Sequence, residues 1–246
     1  MTQFRAPGSA PDSADDDLGR RLRRLLIGRP GSLNTRLRAR RFGLLLDRFP
    51  DLESMEVVDL GGTVRTWTRA PVRPAHVHLV NLEPPVDEVP DWVSVELADA
   101  CDLSGPLARR RFDLVFSNSV MEHVGGHERR ARFAETAYRL ASRHWVQVPY
   151  LYFPIEPHWV FPMFQFLPLR VQTALALRWP LSGVRPRTRA EALVAVMEIE
   201  LLSRTQMRYY FPDSTLLAER VAGLTKSLIA VSSARAWQAP ETAREG

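Results

Sequence analysis

Five short apolar runs recur along the middle of the chain, each followed by a turn or by a stretch with helical spacing. They lie at 55–60, 77–82, 92–97, 112–116 and 144–148. Continuous runs of this length are typical of strands buried on both faces, and strands that alternate with helical segments pair in parallel through crossovers. The pattern therefore predicts a three-layer α/β fold in which helices cover both faces of one sheet.

The last third of the chain departs from this alternation. The apolar residues of 189–211 recur at helical spacing, which predicts a helical stretch that ends before Pro212. Two further apolar runs follow at 215–221 and 226–231. The four residues between these runs permit a hairpin but not a parallel crossover. We therefore expect an antiparallel strand at the end of an otherwise parallel sheet.

Composition divides the chain into a central domain and less apolar ends. Residues 1–17 and 234–246 are predicted to be disordered tails, and 51–233 form the domain, with a proline-rich and aromatic insertion at 150–188. Residues 18–50 carry ten arginines and a single acid, Asp47, on helical spacing. A solvated helix pair that covers the first strand explains this segment, and contact with a membrane surface or an acidic substrate is the alternative.

The overall charge says little about partners. The chain has 33 Lys and Arg against 28 Asp and Glu, a net charge of +5, and Lys226 is its one lysine. Such an arginine bias is the residue usage of a GC-rich genome and does not by itself indicate nucleic-acid binding.

Cys101, a lone cysteine, excludes a disulfide framework, and no run of about 18 apolar residues predicts a membrane span. With no signal-peptide pattern at the start, we expect a cytoplasmic protein.

Glycines and polar residues follow the first two predicted strands. Asp59, Gly61 and Gly62 close the first, where glycine lets the backbone approach a ligand and a carboxylate can meet a cationic group. Asn81 and Glu83 close the second, a position from which a polar side chain can bind ribose hydroxyls. An ordinary turn and an ordinary loop are the alternative interpretations.

The third and fourth predicted strands also end in polar residues. Asp99 and Ala100 follow the third, where a carboxylate can accept a hydrogen bond from an exocyclic amine. The fourth runs directly into Ser117 and then into Glu122 and His123. Ligands of doubly wound sheets bind beyond the carboxyl ends of the strands, so the four sets predict one binding site at that edge.

Taken in order, these sets resemble the class I S-adenosylmethionine-dependent methyltransferases, particularly the bacterial enzymes that act on small molecules. The resemblance covers about residues 50–233 and includes the final antiparallel strand at 224–231. It implies a Rossmann-like three-layer sandwich, with a mostly parallel seven-stranded sheet and an antiparallel last strand, and it implies S-adenosylmethionine as the cofactor. The cofactor-binding residues that it implies are Asp59, Gly61, Gly62, Asn81, Glu83, Asp99, Ala100 and Ser117.

The sequence differs from that family at two places. Thr63 and Arg65 stand where further glycines are common, and Asn81 stands where an acid usually holds the ribose. These differences keep open the alternative of a catalytically degenerate binding or scaffold protein, in which Arg65 or Trp67 would fill the cofactor pocket. A nicotinamide-dependent dehydrogenase is disfavoured because no G-x-G-x-x-G follows the first strand.

The implied reaction is an in-line displacement that moves a methyl group to a small-molecule, lipid- or glycan-linked acceptor. His158 is the candidate base, Glu156 could orient it, and His123 is the second candidate. The alternatives are that Glu156 and His158 satisfy a proline-rich loop and that His123 packs beside the cofactor. No metal is expected.

The segment after the fifth strand is crowded with aromatic side chains, which predict a lid, a small separate core or the wall of an apolar substrate pocket. They are Tyr150, Tyr152, Phe153, Trp159, Phe161, Phe164 and Phe166. A nucleic-acid substrate is disfavoured, because Ser117-Asn118-Ser119-Val120 replaces the Asn/Asp-Pro-Pro-aromatic sequence of base amino methylation. The sequence leaves the oligomeric state open.

Overall fold

The computed structural model describes residues 33–182 and 185–233, so the predicted tails and the first part of the basic segment lie outside the described residues. These described residues contain nine strands, namely β1 (Glu56–Leu60), β2 (His76–Asn81), β3 (Val93–Leu97), β4 (Leu114–Asn118), β5 (His144–Pro149), β6 (Ile155–Glu156), β7 (Phe161–Pro162), β8 (Thr215–Val221) and β9 (Leu224–Ser232). The α-helices are α1 (Leu33–Arg48), α2 (Val64–Thr68), α3 (Gly126–Leu140), α4 (Leu169–Ala176), α5 (Arg189–Met197) and α6 (Arg204–Tyr210).

Seven strands form one sheet in the order β3-β2-β1-β4-β5-β9-β8. Strands β1 to β5 pair in parallel, whereas β9 runs antiparallel to both of its neighbours, β5 and β8. The predicted mostly parallel seven-stranded sheet with an antiparallel last strand is thus confirmed. The reversal of strand order between β1 and β4 places a crevice at the carboxyl ends of the central strands.

Alternating side chains of β1 divide the hydrophobic core into two layers. Val58 and Leu60 pack with Phe133 of α3 on one face of the sheet, and Val57 packs with Phe42 of α1 on the other. This division follows from the two-residue repeat of a strand. It also directs Asp59, which has the same parity as Val57, toward the face covered by α1 and α2.

The helical stretch predicted at 189–211 is wrong as one continuous element. Helix α5 ends at Met197, and α6 begins only at Arg204, after a capping box in which Ser203 and Gln206 exchange hydrogen bonds. Between them, Glu200 N donates to the carbonyl of Glu122, and Leu202 O accepts from Leu151 N. These tertiary bonds replace the helical ones, so the chain is extended here.

The predicted aromatic insertion contains the β6–β7 ribbon and α4. Trp159 and Phe164 stack at 4.9 Å between ring centroids and pack with Ala192 of α5 in a small core of their own. By contrast, Tyr152 and Phe166 stack on one another and remain exposed. Among the described residues, no helix is both long enough and apolar enough to cross a membrane.

Candidate functional site

A cleft of about 960 Å³ lies at the carboxyl ends of β1 to β4. Four of the predicted cofactor residues line it, namely Gly61, Asn81, Asp99 and Ala100. Their sheet positions converge as the sequence predicted, because parallel strands present their carboxyl ends at one edge. A concave site of this size can enclose a small ligand.

The turn after β1 is built so that only glycine fits. Gly61 has a φ of +77°, and a Cβ there would lie 2.5 Å from Cγ2 of Val120, which lines the cleft from the β4 side. A Cβ on Gly62 would lie 2.0 Å from Oδ2 of Asp59. The two glycines therefore let the backbone of the turn form the floor of the cleft.

The Asp59 carboxylate lies beneath this turn rather than in the cleft. Its Oδ2 accepts a hydrogen bond of 2.8 Å from Trp67 Nε1. Its Oδ1 is buried and has no hydrogen-bond partner within the described part of the chain. Burial raises the pKa of Asp59 to about 7, against the opposing effect of the Trp67 hydrogen bond. Asp59 thus supports the turn from below.

Asn81 joins the end of β2 to the turn after β1. Its Nδ2 donates to the carbonyl of Gly62 at 2.9 Å, and its Oδ1 accepts from the backbone N–H groups of Leu82 and Glu83. These bonds engage both Nδ2 and Oδ1 of Asn81, the residue for which the sequence predicted contact with ribose hydroxyls. In this structure Asn81 fixes the shape of the cleft wall.

Asp99 forms a second wall together with Arg129, a residue that sequence reasoning missed. Arg129 Nη2 lies 2.7 Å from Asp99 Oδ2, and Cys101 N donates to Asp99 Oδ1. Burial alone would raise the pKa of Asp99, but these hydrogen bonds outweigh it and hold the pKa below its usual value. Asp99 therefore stays ionised at the rim of the cleft.

Four other residues singled out in the sequence lie outside the lining of the cleft. Glu83 is exposed, and Ser117 is buried with its hydroxyl donating to the carbonyl of Leu60. Trp67 packs edge-on against Phe116 in the core, and Arg65 is exposed and pairs with Asp87. Cofactor contacts of Glu83 and Ser117 stay predictions.

The three predicted catalytic residues meet at one side of the cleft, together with Glu122. His158 Nδ1 lies 2.6 Å from Glu156 Oε1, and His158 Nε2 lies 4.0 Å from Glu122 Oε1. The rings of His123 and His158 meet edge to face at 4.9 Å. Because His123 also lines the cleft, the cluster borders the space that a ligand would occupy.

Burial dominates the electrostatics of this cluster. The carboxyl groups of Glu122 and Glu156 are almost completely buried, and desolvation raises the pKa of Glu122 to about 7. His123 is exposed at the mouth of the cleft, yet the protein packed around its ring and the nearby His158 lower its pKa. Two acids and two imidazoles thus share a small volume in which their charges depend on one another.

Comparison with known proteins finds no protein family and no curated protein that matches the chain. Solved structures do match. A 1,6-didemethyltoxoflavin N1-methyltransferase of Burkholderia thailandensis, with S-adenosylhomocysteine bound, is 15% identical over 92% of this chain and 93% of its own, with a TM-score of 0.47. The magnesium protoporphyrin IX methyltransferase of Synechocystis PCC 6803, also with S-adenosylhomocysteine bound, is 13% identical over 91% and 89%, with a TM-score of 0.46.

A third similar structure is the N-terminal domain of EvdMO1 with S-adenosylhomocysteine bound, at 15% identity over 80% of this chain and 81% of that domain, with a TM-score of 0.46. Structures that differ this much from the chain in sequence indicate neither its substrate nor its activity. The strand order and the antiparallel β9 identify the architecture. This is a Rossmann-like α/β fold with an antiparallel strand, as the sequence predicted.

The lining of the cleft suits a nucleoside cofactor in part. The Gly61 turn exposes backbone where a side chain would intrude, and Val80, Ala98 and Val124 supply apolar walls. Asp99 and Arg129 add one charge of each sign at the rim. In the methyltransferases that the sequence resembles, an acidic residue usually ends the second strand. Here Asn81 stands in its place, and its amide is engaged by backbone groups.

Proposed function

We propose that this protein transfers a methyl group from S-adenosylmethionine to a small-molecule acceptor, free or linked to a lipid or glycan. The observation that supports this most strongly is the position of His123, which belongs both to the cleft and to the cluster of Glu122, Glu156 and His158. Ligand-binding backbone and proton-handling side chains therefore lie side by side, as methyl transfer to a protonated acceptor requires.

Each part of the site has a distinct task in this proposal. When bound, S-adenosylmethionine supplies an activated methyl group. The Gly61 turn and the Asp99–Arg129 pair hold the cofactor in the cleft. Glu156 holds His158 by its Nδ1, so that the other nitrogen, Nε2, faces the interior of the cluster where an acceptor proton would be released.

The exposed aromatic pair of the insertion favours an acceptor with an apolar part. Tyr152 and Phe166 are 60% and 45% exposed although their rings stack on one another at 5.9 Å. Aromatic surface of this kind buries apolar groups well and tolerates a polar neighbour. In this proposal the apolar part of the acceptor lies along the surface formed by Tyr152 and Phe166.

A catalytically degenerate scaffold is the second candidate, because Thr63, Arg65 and Asn81 depart from the methyltransferase pattern. A cofactor pocket filled by Arg65 or Trp67 would favour this candidate. Trp67 instead bonds to Asp59 below the turn, and Arg65 points toward Asp87. The open cleft therefore favours the enzyme over the scaffold.

Calorimetric titration of the purified full chain with S-adenosylmethionine and S-adenosylhomocysteine tests the proposal, with NAD as the control ligand. We expect micromolar binding of the two sulfur nucleosides and none of NAD. Transfer of a labelled methyl group to a panel of hydroxylated and amine acceptors then tests turnover. A folded protein that binds neither nucleoside, alone or with acceptors present, would support the scaffold instead.

A further inference from the structure

We propose that Glu122, His123 and His158 bind a divalent transition-metal ion at the side of the cleft. Each of the three offers one ligand atom, and these atoms all lie within 4.8 Å of one another. Two imidazoles and one carboxylate form a donor set that suits zinc, cobalt or iron in their divalent states, with further positions left open for other ligands. The sequence led us to expect no metal, because methyl transfer from S-adenosylmethionine does not require one.

The environment of Glu122 is the observation that points to a cation. Its side chain is completely buried, and neither of its carboxylate oxygens has a hydrogen-bond partner among the residues that the structure describes. A buried carboxylate without hydrogen bonds is costly unless a cation or a proton compensates it. His158 Nε2 lies 4.0 Å from Glu122 Oε1, which is beyond hydrogen-bond distance.

That gap is close to the largest separation at which two ligand atoms can share one ion. Ligand bonds of about 2.0–2.2 Å place two ligand atoms on one ion at most roughly 4 Å apart. The separation of 4.0 Å between Glu122 Oε1 and His158 Nε2 is at that upper limit, so small side-chain rotations would bring both atoms onto a common ion. His123, more exposed, would complete the set from the cleft side.

Glu156 supplies the outer support that metal-binding histidines usually have. Its Oε1 lies 2.6 Å from His158 Nδ1, and its Oε2 accepts a hydrogen bond from Trp159 N. A carboxylate on Nδ1 fixes the ring, as in carboxylate–histidine–metal arrangements, and here it leaves Nε2 on the side of Glu122. Glu156 is thus a positioning residue and not a ligand.

The site deepens the proposed function, on which this step rests, by indicating the acceptor class. An ion held beside the cleft would offer its open positions to an oxygen donor, so we infer an acceptor with a hydroxyl group. Coordination lowers the pKa of such an oxygen and would release its proton to water. His158 would then act as a ligand. The deprotonated oxygen would take the methyl group as its bond to the sulfonium sulfur breaks, and S-adenosylhomocysteine would be the leaving group.

Metal binding is measured without cofactor, so that its failure and the failure of the proposed function are distinguishable. Chelator-treated full-length protein is titrated with CoCl₂, followed by calorimetry and by visible absorption, with ZnCl₂ as competitor. We expect one ion per chain. Glu122→Gln and His123→Ala should each weaken binding at least about tenfold, Glu156→Gln by about 10–100-fold, and His76→Gln, a remote half-buried histidine, should change nothing.

Three results would overturn the metal site. They are no Co²⁺ binding by the wild type, binding that all the cluster variants retain, and equal loss in His76→Gln. His123→Ala keeps the test valid if the buried variants fail to fold, because His123 is exposed. Nucleoside binding without Co²⁺ binding would leave the methyltransferase proposal standing and refute the metal site. Co²⁺ binding without nucleoside binding would support the metal site and refute the methyltransferase proposal.

Discussion

At the scale of single residues, the turn after β1 depends on a buried acid. Asp59 has no exposed oxygen to solvate its charge, and one hydrogen bond, from Trp67, compensates it only in part. Its pKa in the folded protein lies near 7, well above the value of 3.8 expected in an unfolded chain. Between these two values the folded state binds more protons than the unfolded state, so this residue makes the protein less stable as pH rises.

Asp59→Asn should therefore gain stability relative to wild type as pH increases from 4 to 8. The variant keeps an oxygen that can accept from Trp67 Nε1 but carries no charge. At 1.36 kcal/mol for each unit of pKa shift, we expect the difference in unfolding free energy to change by about 2–4 kcal/mol across this range. Urea unfolding at several pH values measures it, with Asp91→Asn in an exposed turn as the control. A difference in unfolding free energy that does not vary with pH would contradict the raised pKa of the buried Asp59.

At the scale of elements, close approach of the β1 and β4 turns shapes the cleft. Gly61 requires a positive φ, and its absent Cβ is the space that Val120 occupies. Gly61→Ala should therefore strain the turn, cost about 1–3 kcal/mol of stability, and weaken S-adenosylhomocysteine binding. Gly43→Ala in α1 is the matched control, because a Cβ there meets nothing within 4 Å. Calorimetry and thermal unfolding of both variants check the prediction; equal affinity in both would exclude the turn from the binding site.

The elements also show which parts of this fold can be predicted from sequence. The seven strands of the main sheet could be predicted because each is a short apolar run, whereas the two-residue strands β6 and β7 could not. Asp59, Gly61 and Asn81 could be placed because they end such runs. The break at 198–203 could not be predicted from periodicity, since its backbone bonds to Glu122 and Leu151 are tertiary. The capping pair Ser203 and Gln206 was the one local signal of that break.

The meeting of the candidate site residues was only partly predictable for the same reason. Asp99 was proposed from its place after β3, but its partner Arg129 is 30 residues further on, on α3. Glu122 was noticed only as a polar neighbour of His123. Its complete burial beside His158 depends on how the insertion folds back onto the sheet, which no short motif encodes.

At the scale of the whole molecule, one arginine ties the first described helix to both halves of the sheet. Arg41 of α1 bonds to Asn118 at the end of β4, to Gln147 on β5 and to Glu219 on β8. Glu219 is only 1% exposed in its side chain. The parallel half of the sheet and its antiparallel edge are therefore joined through a buried ion pair next to the carboxyl ends of the strands.

Arg41→Met should destabilise the whole domain by about 3–5 kcal/mol, because it leaves Glu219 buried without its main partner. Arg132→Met, which removes an exposed pair with Glu128, is the matched control and should cost about 0.5 kcal/mol or less. Combining Arg41→Met with Glu219→Leu should recover much of the loss, since an apolar pair no longer buries an uncompensated charge. Urea unfolding of the single and double variants measures the coupling. Additive losses would show that Arg41 acts through its bonds to Asn118 and Gln147 rather than through Glu219.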